Sequence, residues 1–279
     1  MRVAAIQVNS TADLGRNLSV AEGLVRDAAA DGAELVALPE KWNVLGEAEA
    51  LRSGAEALDG PTLTAVKGWA RELGVTIVAG SIAERVEGLD HLFNTSALID
   101  ADGEIVASYR KIHLFDVDVG GVSYRESDTE AAGEDVVSAD ADLDRETVEI
   151  GLSVCYDLRF PELYRILALG GARIVTVPAA FTAVTGRDHW EVLLRARAIE
   201  NQFFVVAPNQ VGQALPHYDS WGHSMIVDPW GTVLAEAADS ECFVAADLDL
   251  AEQKRVRSEL PSLANRRPGA YRWPQEVRA

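Results

Sequence analysis

Thr147-Val148-Glu149-Ile150-Gly151-Leu152-Ser153-Val154-Cys155 runs directly into Tyr156-Asp157-Leu158-Arg159-Phe160-Pro161-Glu162, and the reading of this stretch decides the fold class. Val148, Ile150, Leu152 and Val154 recur at the period of a strand whose even positions face a core. The strand ends at Cys155. Pro161 then suits the first position of a helix, where its missing N–H costs nothing. A strand that passes through a short turn into a helix is the building unit of an α/β protein.

The same alternation extends in both directions. Short apolar runs predict strands over residues 3–8, 34–38, 75–79, 95–99, 105–109, 174–177, 203–207, 224–227 and 243–246, besides 148–154. Asp100-Ala101-Asp102-Gly103 reads as a hairpin turn between two of them. Leu18, Ala21, Leu24, Val25 and Ala28 form one helical stripe, and Leu63, Val66, Trp69, Ala70 and Leu73 a second. Gly32, Gly74 and Gly171 stand where helices should stop. Further helices are expected over 162–169, 190–201 and 251–259. No repeat and no Pro/Gly/Ser linker divides the chain, so one domain across 1–279 is expected. Residues 126–146, acidic and turn-rich, read mostly as a solvated loop. Residues 261–279, with Arg266-Arg267-Pro268 and Trp273-Pro274, read as an extended arm on a surface.

Composition excludes several classes. The 279 residues are 48% hydrophobic and carry a formal charge of −19, which argues against a nucleic-acid partner, since phosphates need a basic face. No apolar run reaches the roughly 18 residues of a membrane span. Met1 to Val8 reads as a strand and lacks the charged head and long apolar centre of a secretion signal. A cytoplasmic protein is expected. Cys155 and Cys242 are the two cysteines, too few for a disulfide framework in a chain of this size. Four lysines stand among 25 basic residues, so each merits attention.

Three residues at the ends of different strands are candidates for chemistry. Cys155, in the turn between strand and helix, lies where backbone N–H groups and the helix dipole favour an anion. Such a turn lowers a thiol pKa and offers oxyanion donors; the alternative is a small buried hydrophobe. Lys111 closes the strand at 105–109 and is otherwise a solvated surface charge. Glu40 follows Leu38-Pro39, just beyond a strand end, where ligands bind in open α/β sheets; otherwise it is a loop carboxylate. One sheet edge could gather all three.

Leu38-Pro39-Glu40, Tyr109-Arg110-Lys111-Ile112-His113-Leu114-Phe115-Asp116 and Gly151 to Glu162 resemble the Glu, Lys and Cys signatures of the nitrilase superfamily of carbon–nitrogen hydrolases. The likeness continues through Ala180 to Gly186, His189-Trp190-Glu191, Arg195 to Asn201, Trp221 to Ser224 and Asp228 to Gly231, and so covers most of the chain in order. The resemblance implies a four-layer α-β-β-α sandwich that assembles as a homodimer or larger oligomer; no cofactor motif and no metal-ligand pattern is present, so neither group is expected. It implies Cys155 as nucleophile on an amide or nitrile carbon, Glu40 as proton shuttle and Lys111 as charge stabiliser, helped by the Tyr156 backbone N–H. Glu126, in Tyr124-Arg125-Glu126-Ser127, matches a second family glutamate that helps position Lys111 and substrate. It is otherwise one more charge in the acidic loop.

The likeness is greatest to the omega-amidase and deaminated-glutathione amidase branches, whose substrates carry a carboxylate besides the amide. Arg159 matches the arginine that grips this carboxylate, a task suited to a bidentate guanidinium; pairing with a structural carboxylate is the other reading. Phe181 and Thr185 would line the same pocket. A nitrilase or N-carbamoyl amidase on the same triad, and an inactive partner-binding scaffold, are the rival readings. Lys41-Trp42-Asn43-Val44-Leu45-Gly46 departs from the Cys-Phe-Asn run and tyrosine of omega-amidases, and Trp42 either reshapes the pocket or belongs to the core. His91, His113, His189, His217 and His223 form no metal pattern. Cys242 reads as buried and inert, while Arg195 and Arg197 read equally as interface ion pairs or substrate contacts.

Overall fold

The computed structural model describes residues 1–143, 146–215 and 218–271. The first six strands are β1 (Arg2–Gln7), β2 (Leu35–Ala37), β3 (Thr76–Val78), β4 (Ile82–Glu84), β5 (Phe93–Ile99) and β6 (Ile105–Arg110). A hairpin, β7 (Asp116–Val119) and β8 (Val122–Arg125), precedes β9 (Ser138–Leu143), β10 (Glu146–Leu152), β11 (Ile174–Thr176) and β12 (Phe204–Ala207). A second hairpin, β13 (Val211–Leu215) and β14 (Tyr218–Trp221), is followed by β15 (Met225–Val227), β16 (Val233–Glu236) and β17 (Cys242–Asp247). The helices are α1 (Leu14–Ala30), α2 (Ala48–Ser53), α3 (Pro61–Leu73), α4 (Pro161–Gly170), α5 (Ala183–Asn201) and α6 (Leu250–Glu259).

Among the described residues the strands make two large sheets. One runs β17-β1-β2-β3-β5-β4 with β6 on β5, and the other runs β16-β15-β12-β11-β10-β9. Strand alternation divides the first sheet between two cores. Val3, Ala5, Leu35, Ala37, Val78 and Leu98 join Ile150, Leu152 and other residues of the second sheet, and that core continues to Leu163, Leu167, Trp190 and Leu194 on α4 and α5. Ala4, Ile6, Val36, Leu38, Ile77 and Ile99 face the other way, onto Ala21, Val25 and Ala28 of α1 and Leu63, Val66 and Ala70 of α3. Successive side chains point to opposite faces, so a strand buried on both sides must be apolar throughout. The result is the four-layer α-β-β-α sandwich. Cutting a core leucine such as Leu35 back to Ala should cost about 2–5 kcal/mol.

The ten expected strands and five expected helices all form, with shifted ends. Gly74 caps α3 with φ 67°, a left-handed position that favours glycine. Helix α5 begins seven residues earlier than expected, at Ala183. Residues 126–146 depart most from expectation. Glu126–Asp128 is a 3-10 turn, Glu130 is buried, and β9 pairs antiparallel with β10. Ala141 and Leu143 are buried between exposed aspartates, so β9 alternates like any half-buried strand; its acidic face hid that pattern. Residues 144 and 145 lie outside the described residues.

Trp42 belongs to the core. It is fully buried, its indole N–H donates to the Ala79 carbonyl at 2.8 Å, and its ring lies 6.0 Å from that of Trp69. Cys242 is only half-buried, because β17 is the edge of its sheet. From Pro261 to Tyr271 the chain runs mostly as exposed turns, with a 3-10 turn at Pro268–Ala270. Trp273-Pro274 and the rest of the expected arm lie outside the described residues, as does His217. No helix among the described residues is long and apolar enough to cross a membrane.

Candidate active site

Sheet direction brings the three candidates to one place. Strands β1, β2 and β3 are parallel; β5 opposes β3, and β6 opposes β5, so β6 runs with β2. The C-terminal ends of β2 and β6 therefore point the same way and deliver Glu40 and Lys111. In the second sheet β10, β11 and β12 are parallel, and the ends of β10 and β11 deliver Cys155, Ala180 and Phe181. The expectation of a single sheet edge is thus corrected: the two sheets of the sandwich each contribute. The loop carrying Glu40 is held by Gly80, at φ 56°, where an added Cβ would stand 2.0 Å from the Pro39 carbonyl oxygen. Only glycine fits there.

Cys155 opens a 3-10 turn, Cys155–Arg159, with φ 48°. This left-handed conformation is strained for a residue with a side chain, and its surroundings must enforce it. Its backbone N–H donates to the Pro178 carbonyl at 2.8 Å. Asp157, fully buried, ties the turn to the Lys111 segment. It accepts from Tyr109 Oη at 2.7 Å and the Val154 N–H at 2.8 Å, and its other oxygen meets His113 Nδ1 at 2.7 Å. Arg197 closes the far side, donating twice to the Leu158 carbonyl at 3.0 and 2.8 Å. Arg195 instead bonds Gly231 and Glu191. Neither arginine touches the pocket.

Glu40, Lys111 and Glu126 interlock behind the sulfur. Lys111 is 1% exposed, and its Nζ donates to Glu40 Oε1 at 2.9 Å and to Glu126 at 2.8 and 3.1 Å. Glu40 also accepts from Asn94 Nδ2 at 2.8 Å and from the Ala180 N–H at 2.8 Å. Asn94 bridges on to Glu126 at 3.2 Å, and the Phe115 N–H donates to Glu126 at 2.7 Å. Burial disfavours the Lys111 ammonium, but Glu126 and Glu40 outweigh it and hold the proton firmly. Burial likewise opposes the Glu126 carboxylate, and Lys111 and Lys41 prevail, keeping it ionised.

Cys155 differs from expectation in one respect. Burial, then the neighbouring Glu40 carboxylate, push its thiol well above the ordinary range, and Lys111 and the Ala180 N–H only partly oppose them. The turn lowers the pKa less than burial raises it. The resting sulfur is a thiol beside the Glu40 carboxylate, so it needs a base at the moment of attack.

These groups line a pocket of about 420 Å³ together with Tyr156, Arg159, Phe181 and Thr185. Arg159 forms no ion pair among the described residues. Its guanidinium lies 5.1 Å from the Phe181 ring and 5.8 Å from the Tyr156 ring, with Nη1 3.2 Å from His189 Nδ1. Thr185 Oγ1 is buried without a hydrogen bond among the described residues. The β7–β8 hairpin forms one wall through Ser123 and Tyr124. His113 packs flat on Phe160 at 3.6 Å, and His223 pairs with Glu236 outside the pocket. Sequence reasoning missed Lys41, Asn94, Glu130 and Tyr218, whose hydroxyl donates to the Ala180 carbonyl. The scarcity of lysine was the one signal that singled out Lys41; Asn94 and Tyr218 carried none.

The sandwich and its pocket define a carbon–nitrogen hydrolase, and the family model of that name matches residues 2–258; the chain belongs to this family. It is 43% identical over 268 residues to a deaminated glutathione amidase of Synechocystis sp., covering 94% of this chain and 97% of that one. It is 37% identical to a human omega-amidase, covering 97% and 96%. The crystal structure of Saccharomyces cerevisiae Nit3, a member of branch 10 of the nitrilase superfamily, matches with a TM-score of 0.83 and 31% identity over 94% of both chains.

Proposed function

We propose that this protein is a thiol amidase that hydrolyses a small, carboxyl-bearing amide to acid and ammonia through a thioester on Cys155. The observation that carries the reading is the contact set around Glu40: one oxygen is held at 2.9 Å by Lys111 and the other at 2.8 Å by the Ala180 N–H, in the pocket that Cys155 also lines. Glu40 takes the thiol proton as sulfur attacks the carbonyl carbon, then passes it to the departing ammonia. Lys111 and the Tyr156 backbone N–H face the oxyanion of the tetrahedral intermediate. Glu40 next draws a proton from water, which attacks the thioester and frees the acid and the thiol. Glu126 fixes the Lys111 ammonium throughout.

Arg159 supplies the carboxylate clamp. An arginine that faces a pocket and pairs with no carboxylate among the described residues is suited to an anionic ligand, and Thr185 Oγ1 and Phe181 line the same space. The names of the amidase relatives point to the same substrate class. An ammonia-release screen over half-amides of dicarboxylic acids, carbamoyl amino acids and simple nitriles tests the reading: the half-amides should be turned over, and turnover of nitriles alone would overturn it.

A homodimer or larger assembly in a reducing, cytoplasmic compartment belongs to the same proposal. Val192, Ile199 and Trp230 are 65%, 48% and 64% exposed on or beside α5, apolar surface that a second copy would cover. Both cysteines are unpaired. Sedimentation at micromolar concentration should show a dimer or larger; a monomer would refute the assembly.

A further inference from the structure

A second buried ammonium, that of Lys41, stands in the wall of the same pocket. Lys41 directly follows Glu40, at φ 50°, and its backbone N–H donates to Ser81 Oγ at 3.1 Å. Its ammonium turns inward to Glu130 Oε1 at 2.6 Å and Glu126 Oε1 at 3.1 Å. Glu130, Lys41, Glu126, Lys111 and Glu40 thus form one buried chain of contacts in which carboxyl groups and ammoniums alternate, the last two contacts at 2.8 and 2.9 Å. An apolar residue at position 41 would avoid the desolvation of a buried pair, so the pair demands a role beyond packing.

We propose that Lys41, anchored by Glu130, is a positioning residue that shares the charge of Glu126 and so leaves Lys111 free to serve Glu40 and the sulfur. The proposal rests on the reading of Glu40, Lys111 and Cys155 as the catalytic groups. The charged and titratable groups facing Lys41 are Glu130 and Glu126 from the segment after β8, Glu40 from its own loop and Lys111 from the end of β6. Burial and Glu126 push the Glu130 carboxyl up to about 8, against the pull of Lys41. At neutral pH, therefore, two ammoniums balance the Glu40 and Glu126 carboxylates. Removing Lys41 leaves one ammonium against both, and a buried site relieves that imbalance by taking up a proton at higher pH.

Three full-length variants separate positioning from packing: Lys41→Met, Glu130→Gln, and the double variant Lys41→Met/Glu130→Leu. For each, Tm, the pH profile of kcat/KM on a half-amide, and the pH dependence of iodoacetamide alkylation at Cys155, followed by peptide mass spectrometry, are measured. In Lys41→Met the acid limb of kcat/KM should move up by about one pH unit or more, and the alkylation midpoint should rise with it. The double variant should recover Tm while keeping both displacements. Glu130→Gln should keep the acid limb in place.

Recovery of the pH profile together with Tm in the double variant, or an unmoved alkylation midpoint in Lys41→Met, overturns the proposal. The alkylation arm needs no substrate. If the wild type releases no ammonia, or Cys155→Ala retains turnover, the amidase reading fails while the alkylation arm still decides the role of Lys41.

Discussion

Lys111 Nζ lies 2.9 Å from Glu40 Oε1, and both side chains are almost wholly buried, at 1% and 5% exposure. Each is the other's compensation, and Glu126 completes it at 2.8 Å. Lys111→Met leaves two buried carboxylates against Lys41 alone and should cost about 3–5 kcal/mol of stability, besides activity. Urea unfolding measures it; a loss under about 1 kcal/mol would show that the cluster rearranges freely.

Glu40→Gln preserves shape and removes the base. It should lower kcat by about 10²–10⁴-fold, the range for a general base, and lower Tm as well, because Lys111 loses a buried charged partner. Steady-state ammonia release is the readout, and a KM effect without a kcat effect would speak against proton transfer by Glu40.

Cys155→Ala should abolish ammonia release with the fold intact, as judged by circular dichroism. Because burial and Glu40 hold the free thiol above its ordinary pKa, iodoacetamide should label Cys155 slowly at neutral pH and faster as pH rises. Rapid, pH-independent labelling from pH 6 upward would mean a standing thiolate.

Arg159→Lys keeps the charge but loses the fork geometry. KM should rise about tenfold for carboxylated amides and change little for uncharged ones of the same length. A uniform loss across both groups would assign Arg159 to the wall instead of the clamp.

Glu130 makes stability depend on pH. Its folded pKa, raised to about 8 from an ordinary 4.5, means that the native state holds a proton the unfolded chain has lost between those values. The favourable contribution is full below about pH 4.5 and fades as pH rises to 8. In Glu130→Gln, Tm relative to wild type should therefore climb between pH 5 and 8 and then level off. A flat difference across that window would show that Glu130 stays ionised.

Much of this molecule was legible in the residue order because the signals are local. The alternation of Val148, Ile150, Leu152 and Val154, the stop at Cys155 and Pro161 at a helix start are each settled within a few residues. The same holds for Glu40 and Lys111 at strand ends, and local wording was enough to suggest the family and its layers. Where local composition misled, as in the acidic stretch around Glu130 and β9, the neutralising partners sat elsewhere in the chain.

What residue order by itself determined is therefore the set of elements and the chemical groups at their ends. The tertiary structure decided which groups meet. The Ala180 N–H reaches Glu40 across 140 residues, Lys41 reaches Glu126 across 85, and Lys111 reaches Glu40 across 71. Such contacts depend on how two sheets stack and on which ends face each other, and no periodicity within a strand encodes that. Burial follows from the same stacking. It turned an expected low-pKa cysteine into a protonated thiol and drew Lys41 and Glu130 out of water into the cluster behind it.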